Sequence, residues 1–264
     1  MVAATIYSSY ASESTELGFK GVVWFYIATY VVVTLGLMIF WKKDKPVPNE
    51  ERFNPKDALS VITHPATWYI GFIIYGLYAM SRCLDLIAPY MREVMGIDAG
   101  LSAYLNTFRY YFATFIGGIV IGIVLDRTRH KIPVCQVASA IGAALFAVMA
   151  FLPTQGTFWH VIFVVVMCVA VFGVFGAYFT AFSLLEGARV PKKITGSIIG
   201  VAISIGFLPD IIINYLSNYL ADTYGMADGC QYLLIVGAAH GFFAIIIYSL
   251  FKRYLKKLEA RATA

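Results

Sequence analysis

Apolar runs of about twenty residues, separated by short polar or charged stretches, set the rhythm of this chain from beginning to end. Runs cover 21–41, 66–90, 102–125, 132–152, 158–184, 194–220 and 231–251. The first, Gly21 to Trp41, carries no charge. A helix rises about 1.5 Å per residue and bilayer hydrocarbon is roughly 30 Å thick, so about twenty apolar residues make one crossing. The runs are too long for buried strands and carry frequent glycines, as packed membrane helices do. Backbone groups in lipid must be satisfied within the segment, which selects helices. The pattern predicts an all-α membrane protein of about seven transmembrane helices. Ala113, Gly117, Gly118 and Gly122, and then Gly196 and Gly200, repeat at the spacing that lets helix backbones approach closely.

Composition agrees. Apolar residues make up 60% of the 264 and charged residues only 13%, against about 25% charged in ordinary soluble domains. Too few charges remain to cover a water-facing surface. The net charge of +5 does not mark a nucleic-acid partner, because the basic residues lie in loops rather than on one soluble face. Sixteen of the twenty Lys and Arg fall in 42–65, 126–131, 185–193 and the tail 252–264, while the opposite set of loops holds Lys20 and Arg92. This alternation predicts an outside N-terminus and a cytoplasmic C-terminus in the inner membrane. The expected organisation is an outer segment with a first helix (1–41), a charged, proline-bearing cytoplasmic linker (42–65), a six-helix domain (66–251) and a basic tail (252–264). Cys83, Cys135, Cys168 and Cys230 are scattered, with no CxxC and no histidine at ligand spacing, so neither a metal site nor a disulfide framework is expected. No cofactor motif is present; a Walker A sequence, GxxxxGK[ST], is missing.

Polar groups inside the runs carry the functional signal. An ion at mid-helix costs at least about 2.5 kcal/mol on insertion scales and normally meets a partner or a watery cavity. Arg82, Asp85, Arg109 and Asp210 are the four such residues. Counting the rise from the predicted ends puts Arg82 and Asp210 about 24 Å, and Arg109 roughly 20 Å, from the cytoplasmic side. At about 100° per residue, Tyr75, Tyr78, Arg82, Asp85 and Pro89 share an arc. Asn106, Arg109, Tyr110 and Ala113 share a side of the next run, and Asp210, Asn214 and Ser217 cluster after Pro209, which can loosen a helix. Two readings stand: the charges pair to hold helices together, or they line a chamber for a solute. Tyr75, Tyr78, Arg82, Asp85, Asn106, Arg109, Asp210 and Asn214 are the candidate substrate-binding residues. His240 reads as a packing histidine rather than a proton relay.

The stretch Gly122-Ile-Val-Leu-Asp126-Arg127-Thr-Arg129-His130-Lys131 resembles the cytoplasmic G-x-L-x-D-R-x-G-R-R signature of the major facilitator superfamily, with Gly122, Asp126, Arg127 and Lys131 in place and Arg129 where glycine is usual. Pro191, Gly196 and Gly200 are similar to that family's entry into its eleventh helix, and Tyr219-Leu-Ala-Asp222-Thr-Tyr-Gly225 to the close of it. The likeness covers nearly the whole chain and implies counterparts of helices six to twelve of a twelve-helix transporter, the N-terminal half being absent. It implies that two six-helix halves rock about a central site, and that Asp126, with Gly122, Arg127 and Lys131, gates the motion from near the start of the eleventh helix. Asp85-Leu-Ile-Ala-Pro-Tyr90-Met-Arg92-Glu93 resembles the end of helix seven in organophosphate antiporters, which leans toward an anionic solute, although Arg82 is offset from their binding arginine.

The leading expectation is a secondary active transporter, or its C-terminal half, moving a small polar solute by alternating access, with the bilayer and a separately encoded N-terminal half as partners. The rival is a truncated, non-transporting remnant or an interaction subunit. A membrane enzyme or seven-helix receptor is disfavoured, because the loops are short and no nucleophile–base or metal-ligand constellation is apparent.

Overall fold

The structure, a computed structural model, describes residues 15–41, 58–128 and 130–263. Most of the predicted linker and Arg129 of the signature lie outside these residues. The chain divides into two units, Met1–Asn49 and Glu50–Ala264. Among its described residues the first contributes one helix, α1 (Thr15–Phe40), whose first turns pair Glu16 with Lys20 and whose remainder is apolar and long enough to cross a bilayer.

The second unit is wholly helical among the described residues: α2 (Ala58–Thr63), α3 (Pro65–Arg82), α4 (Ile87–Glu93), α5 (Ala99–Arg127), α6 (Lys131–Ala150), α7 (Thr157–Thr180), a 3₁₀ segment (Ala181–Ala188), α8 (Lys192–Gly206) and a final helical stretch, Pro209–Thr263. The chain is thus an all-α membrane protein. Six helical stretches are long and apolar enough to span a bilayer, and the last, Lys192–Ala262, is 71 residues long. Drawn out straight it would reach about 105 Å, more than three hydrocarbon cores. It reverses instead at Gly225, whose φ of 79° and ψ of 172° lie outside the helical region. Gly229 then sits directly against Leu220 and Ala221 of the preceding arm, where a Cβ would meet backbone atoms at 2.9–3.0 Å. α8 with the first arm, α9 (209–224), accounts for the apolar run at 194–220, and the second arm, α10 (226–263), for the run at 231–251.

α3 begins where Pro65 occupies a first-turn position and the Nδ1 of His64 accepts the Ala66 N–H at 3.2 Å. It is the most buried helix, with Ile70, Ile73, Ile74, Leu77 and Met80 fully enclosed. Around it pack α10, where Ala244 lies against Gly76, α8, whose Ile205 and Gly206 meet Gly71 and Ile74, and α7, while α6 packs on α10 and α7. Lipid tails are as apolar as these side chains, so close packing rather than water exclusion favours association. Small residues supply that closeness. A Cβ on Gly117 of α5 would run into the Phe172 carbonyl of α7, and one on Gly176 of α7 into Ile121. Polar ties are few: Gln136 donates to Ser249 Oγ at 2.8 Å and Gln231 to the Ala150 carbonyl at 3.0 Å.

Candidate functional site: a charged cluster at three helix breaks

Each helix that carries one of the four predicted intramembrane charges departs from α geometry beside that charge. α3 ends at Arg82, and turns through Cys83–Leu86 close with i to i−3 bonds: Leu84 N–H to Ser81, Asp85 to Arg82 and Ile87 to Leu84. Pro89 is the cause. It has no N–H to give the Asp85 carbonyl, so it fits only within the first turn of a new helix, α4. In α5 the segment Arg109–Ala113 is a π-helical turn, and the Thr114 hydroxyl reaches back to the Arg109 carbonyl at 3.4 Å. Between α8 and α9 the chain turns at Phe207–Leu208 before Pro209, and Asp210 N–H closes on Phe207.

These breaks bring four of the predicted residues together. Arg82 Nη2 lies 2.9 Å from Asp85 Oδ2, and its Nε lies 3.0 Å from Asp210 Oδ1. The Nε contact is an ion pair by distance without a hydrogen bond's alignment, since that N–H has no aligned acceptor. Tyr78 donates its hydroxyl to the same Asp210 Oδ1 at 2.8 Å. One guanidinium therefore bridges carboxylates from α9 and from the turn after α3. The cluster is not sealed, because the Asp210 side chain is 44% exposed and that of Arg82 23%. Aromatic rings close one side: Tyr78 lies 4.8 Å from Phe207 and 6.1 Å from Tyr178 between ring centroids. Phe207 was not legible as a site residue; its only signal is its place two residues before Pro209.

Arg109 and Asn106 form a second group on α5. Nε and Nη2 of Arg109 both donate to Asn106 Oδ1, at 3.2 and 2.8 Å, and the guanidinium carbon sits 5.7 Å from the centroid of the Tyr110 ring. Arg109 is only 1% exposed, its Nη1 has no hydrogen-bond partner, and among the described residues it makes no ion pair.

Two predicted members lie elsewhere. Tyr75 shares its helix face with Tyr78 but packs on α10, 5.7 Å from His240 and 6.1 Å from Phe243. His240 itself has Nδ1 2.8 Å from the Val236 carbonyl. Asn214, one turn past Asp210, is exposed and its side chain makes no hydrogen bond with a described residue.

The signature region also differs from expectation. Asp126 and Arg127 close the C-terminal end of α5, both exposed, and Asp126 makes no side-chain hydrogen bond or ion pair with a described residue, so a bond from it to the start of α8 is not made here. Lys131 is the engaged member: its Nζ lies 2.9 Å from Glu186 Oε2 of the 3₁₀ segment. Gly122 has open space where a Cβ would stand. Among the described residues no group of His, Cys, Asp and Glu could hold a metal ion.

Comparison with known proteins agrees with the resemblance seen in the signature. The chain is 25% identical to the inner membrane protein YqcE of Escherichia coli K12 over 273 aligned positions, covering 98% of this chain and 62% of that protein. It is 24% identical to the inner membrane protein YihN of the same organism, covering 94% of this chain and 61% of that protein. The chain thus spans about three fifths of the length of these curated relatives. The family model for the Major Facilitator Superfamily matches residues 2–213, most of the chain, so the protein belongs to the major facilitator superfamily.

Proposed function

We propose that this chain forms the C-terminal part of a secondary active transporter of the inner membrane, and that it moves a small polar, anionic solute by alternating access. The observation that carries the reading is the bridge Tyr78–Asp210–Arg82–Asp85, which ties α9 to the end of α3 at a point where both helices are broken. Ion pairs at this depth are expensive unless they serve a cavity or a moving joint, and discontinuous helices at mid-membrane are where transporters of this kind hold solutes and ions. A bridge between two broken helices can part without unfolding either. Gly122, Asp126, Arg127 and Lys131 serve as the gating segment, with Lys131–Glu186 as the pair that would exchange.

The correspondence to helices six to twelve, the cytoplasmic C-terminus and the need for an N-terminal half belong to the same reading. It is supported by the basic-loop asymmetry and by the order of the signature stretches along the chain. The half-exposed Asp210 supports it too, because an ionised carboxylate on the side of a bundle calls for cover. The second reading is a non-transporting interaction subunit, in which the Asp85–Arg82–Asp210 bridge is only a structural tie between helices. Uptake of labelled phosphate, gluconate and sorbitol into proteoliposomes, with and without a separately expressed N-terminal half of a relative, decides between them. Gradient-driven accumulation supports transport; no accumulation of any solute in either preparation supports the subunit.

A further inference from the structure

The two arginines of the candidate site are held differently, although the Asp85 carboxylate acts electrostatically on both. Arg82 is spoken for: Asp85 and Asp210 approach it at 2.9 and 3.0 Å, so two carboxylates share its single charge. Arg109 is more deeply buried, at 1% exposure, yet both of its engaged nitrogens converge on one neutral amide oxygen, Asn106 Oδ1. Nη1 is left with no acceptor. A guanidinium presents a planar fork that fits carboxylate, phosphate or sulfate with two parallel hydrogen bonds, and buried donors without acceptors are rare enough to need an explanation. The π turn adds to this. It begins at Arg109 itself, and single π turns within α-helices occur often at functional sites.

Resting on the transport reading above, we propose that Arg109 is the residue that receives the solute's oxyanion, and that Arg82 does not contact the solute but joins α3 to α9. Asn106 holds the fork in place until the oxyanion arrives, and Tyr110 covers one face of it. Arg109 thereby sets the preference for a carboxylate, phosphate or sulfate group over a neutral polyol, whereas Arg82, Asp85 and Asp210 set how readily the joint opens.

The test uses the purified full chain in lipid nanodiscs with phosphate, sulfate, succinate and neutral sorbitol as probes. At least one anion raises the melting temperature of the unsubstituted chain, by roughly 5 °C at saturation, and sorbitol does not. Arg109→Gln loses that shift, Arg109→Lys keeps a reduced one, and Arg82→Gln melts lower but retains the anion response. A second measurement needs no melt: calorimetric titration of the effective anion gives a Kd that weakens at least about tenfold in Arg109→Lys and much less in Arg82→Gln. An unsubstituted chain that responds to no anion overturns the assignment. So does a response abolished in Arg82→Gln and intact in Arg109→Gln, or an affinity weakened equally by Arg109→Lys and Arg82→Gln. Failure of the transport reading looks different: anion binding dependent on Arg109 would persist while proteoliposome uptake stays absent.

Discussion

Asp210→Asn separates the charge of the bridge from its hydrogen bonding. The amide keeps an Oδ1 acceptor for the Tyr78 hydroxyl, so what is lost is the attraction to Arg82 at 3.0 Å. Unit charges about 4 Å apart attract by about 4 kcal/mol at an effective dielectric constant near 20. Two features reduce this. The Asp210 side chain is 44% exposed, so water screens it, and Arg82 keeps Asp85 as a second partner. The net loss should fall at about 1–2 kcal/mol, above the range for fully exposed pairs and below the 3–5 kcal/mol for breaking a fully buried one. The clean measurement is a double-mutant cycle of Arg82→Gln and Asp210→Asn, followed by reversible unfolding in mixed micelles. A coupling of about 1–2 kcal/mol is expected, with each single variant melting a few degrees lower. A coupling within about 0.3 kcal/mol of zero would refute the claim that this bridge holds α3 to α9.

Gly225→Ala should cost about 1–3 kcal/mol, because φ 79° with ψ 172° is a region that essentially only glycine enters; open space around the site leaves no steric contribution, and a thermal-shift assay reads the loss. Gly117→Ala should destabilise by about 1–3 kcal/mol through its clash with the Phe172 carbonyl, and Gly122→Ala, with nothing nearby, by far less. His64 stands just outside the membrane span, and burial pushes its pKa below the ordinary value. Its neutral ring caps α3, so the stabilisation is present above pH 6.5 or so and is lost as pH falls through the lower folded-state value. The effect is a few tenths of a kcal/mol for this partly exposed cap, and His64→Asn, which caps without titrating, should remove the pH dependence of melting. In uptake assays Arg82→Ala and Arg109→Ala should each impair transport at least tenfold more than Arg92→Ala; equal effects in all three would leave the charges as structural pairs.

The membrane class was legible because one physical rule, a span of about twenty apolar residues, acts locally and needs no knowledge of neighbours. The breaks were legible only where proline marks them. Pro209 announced the turn before Asp210, and Pro89 carried the same information for α3, yet an arc drawn from Tyr75 to Pro89 treats as one helix what the structure splits after Arg82. The π turn at Arg109 has no residue that demands it. A helical wheel gives direction but not what stands opposite, which is why Tyr75 meets His240 and Phe243 rather than the charges. Asn214 failed for a related reason: one turn from Asp210 is close along the axis, but the ion pair reaches inward toward Arg82 while Asn214 stays at the surface. Asp126 depended on family likeness alone, and that likeness does not fix which partner a carboxylate holds in one conformation.

The reversal at Gly225 bears on how the two arms can move. With a single residue between the arms, and Gly229 lodged against Leu220 and Ala221, neither arm can shift along the other without opening the turn, so a displacement that parts Asp210 from Arg82 should carry both arms together.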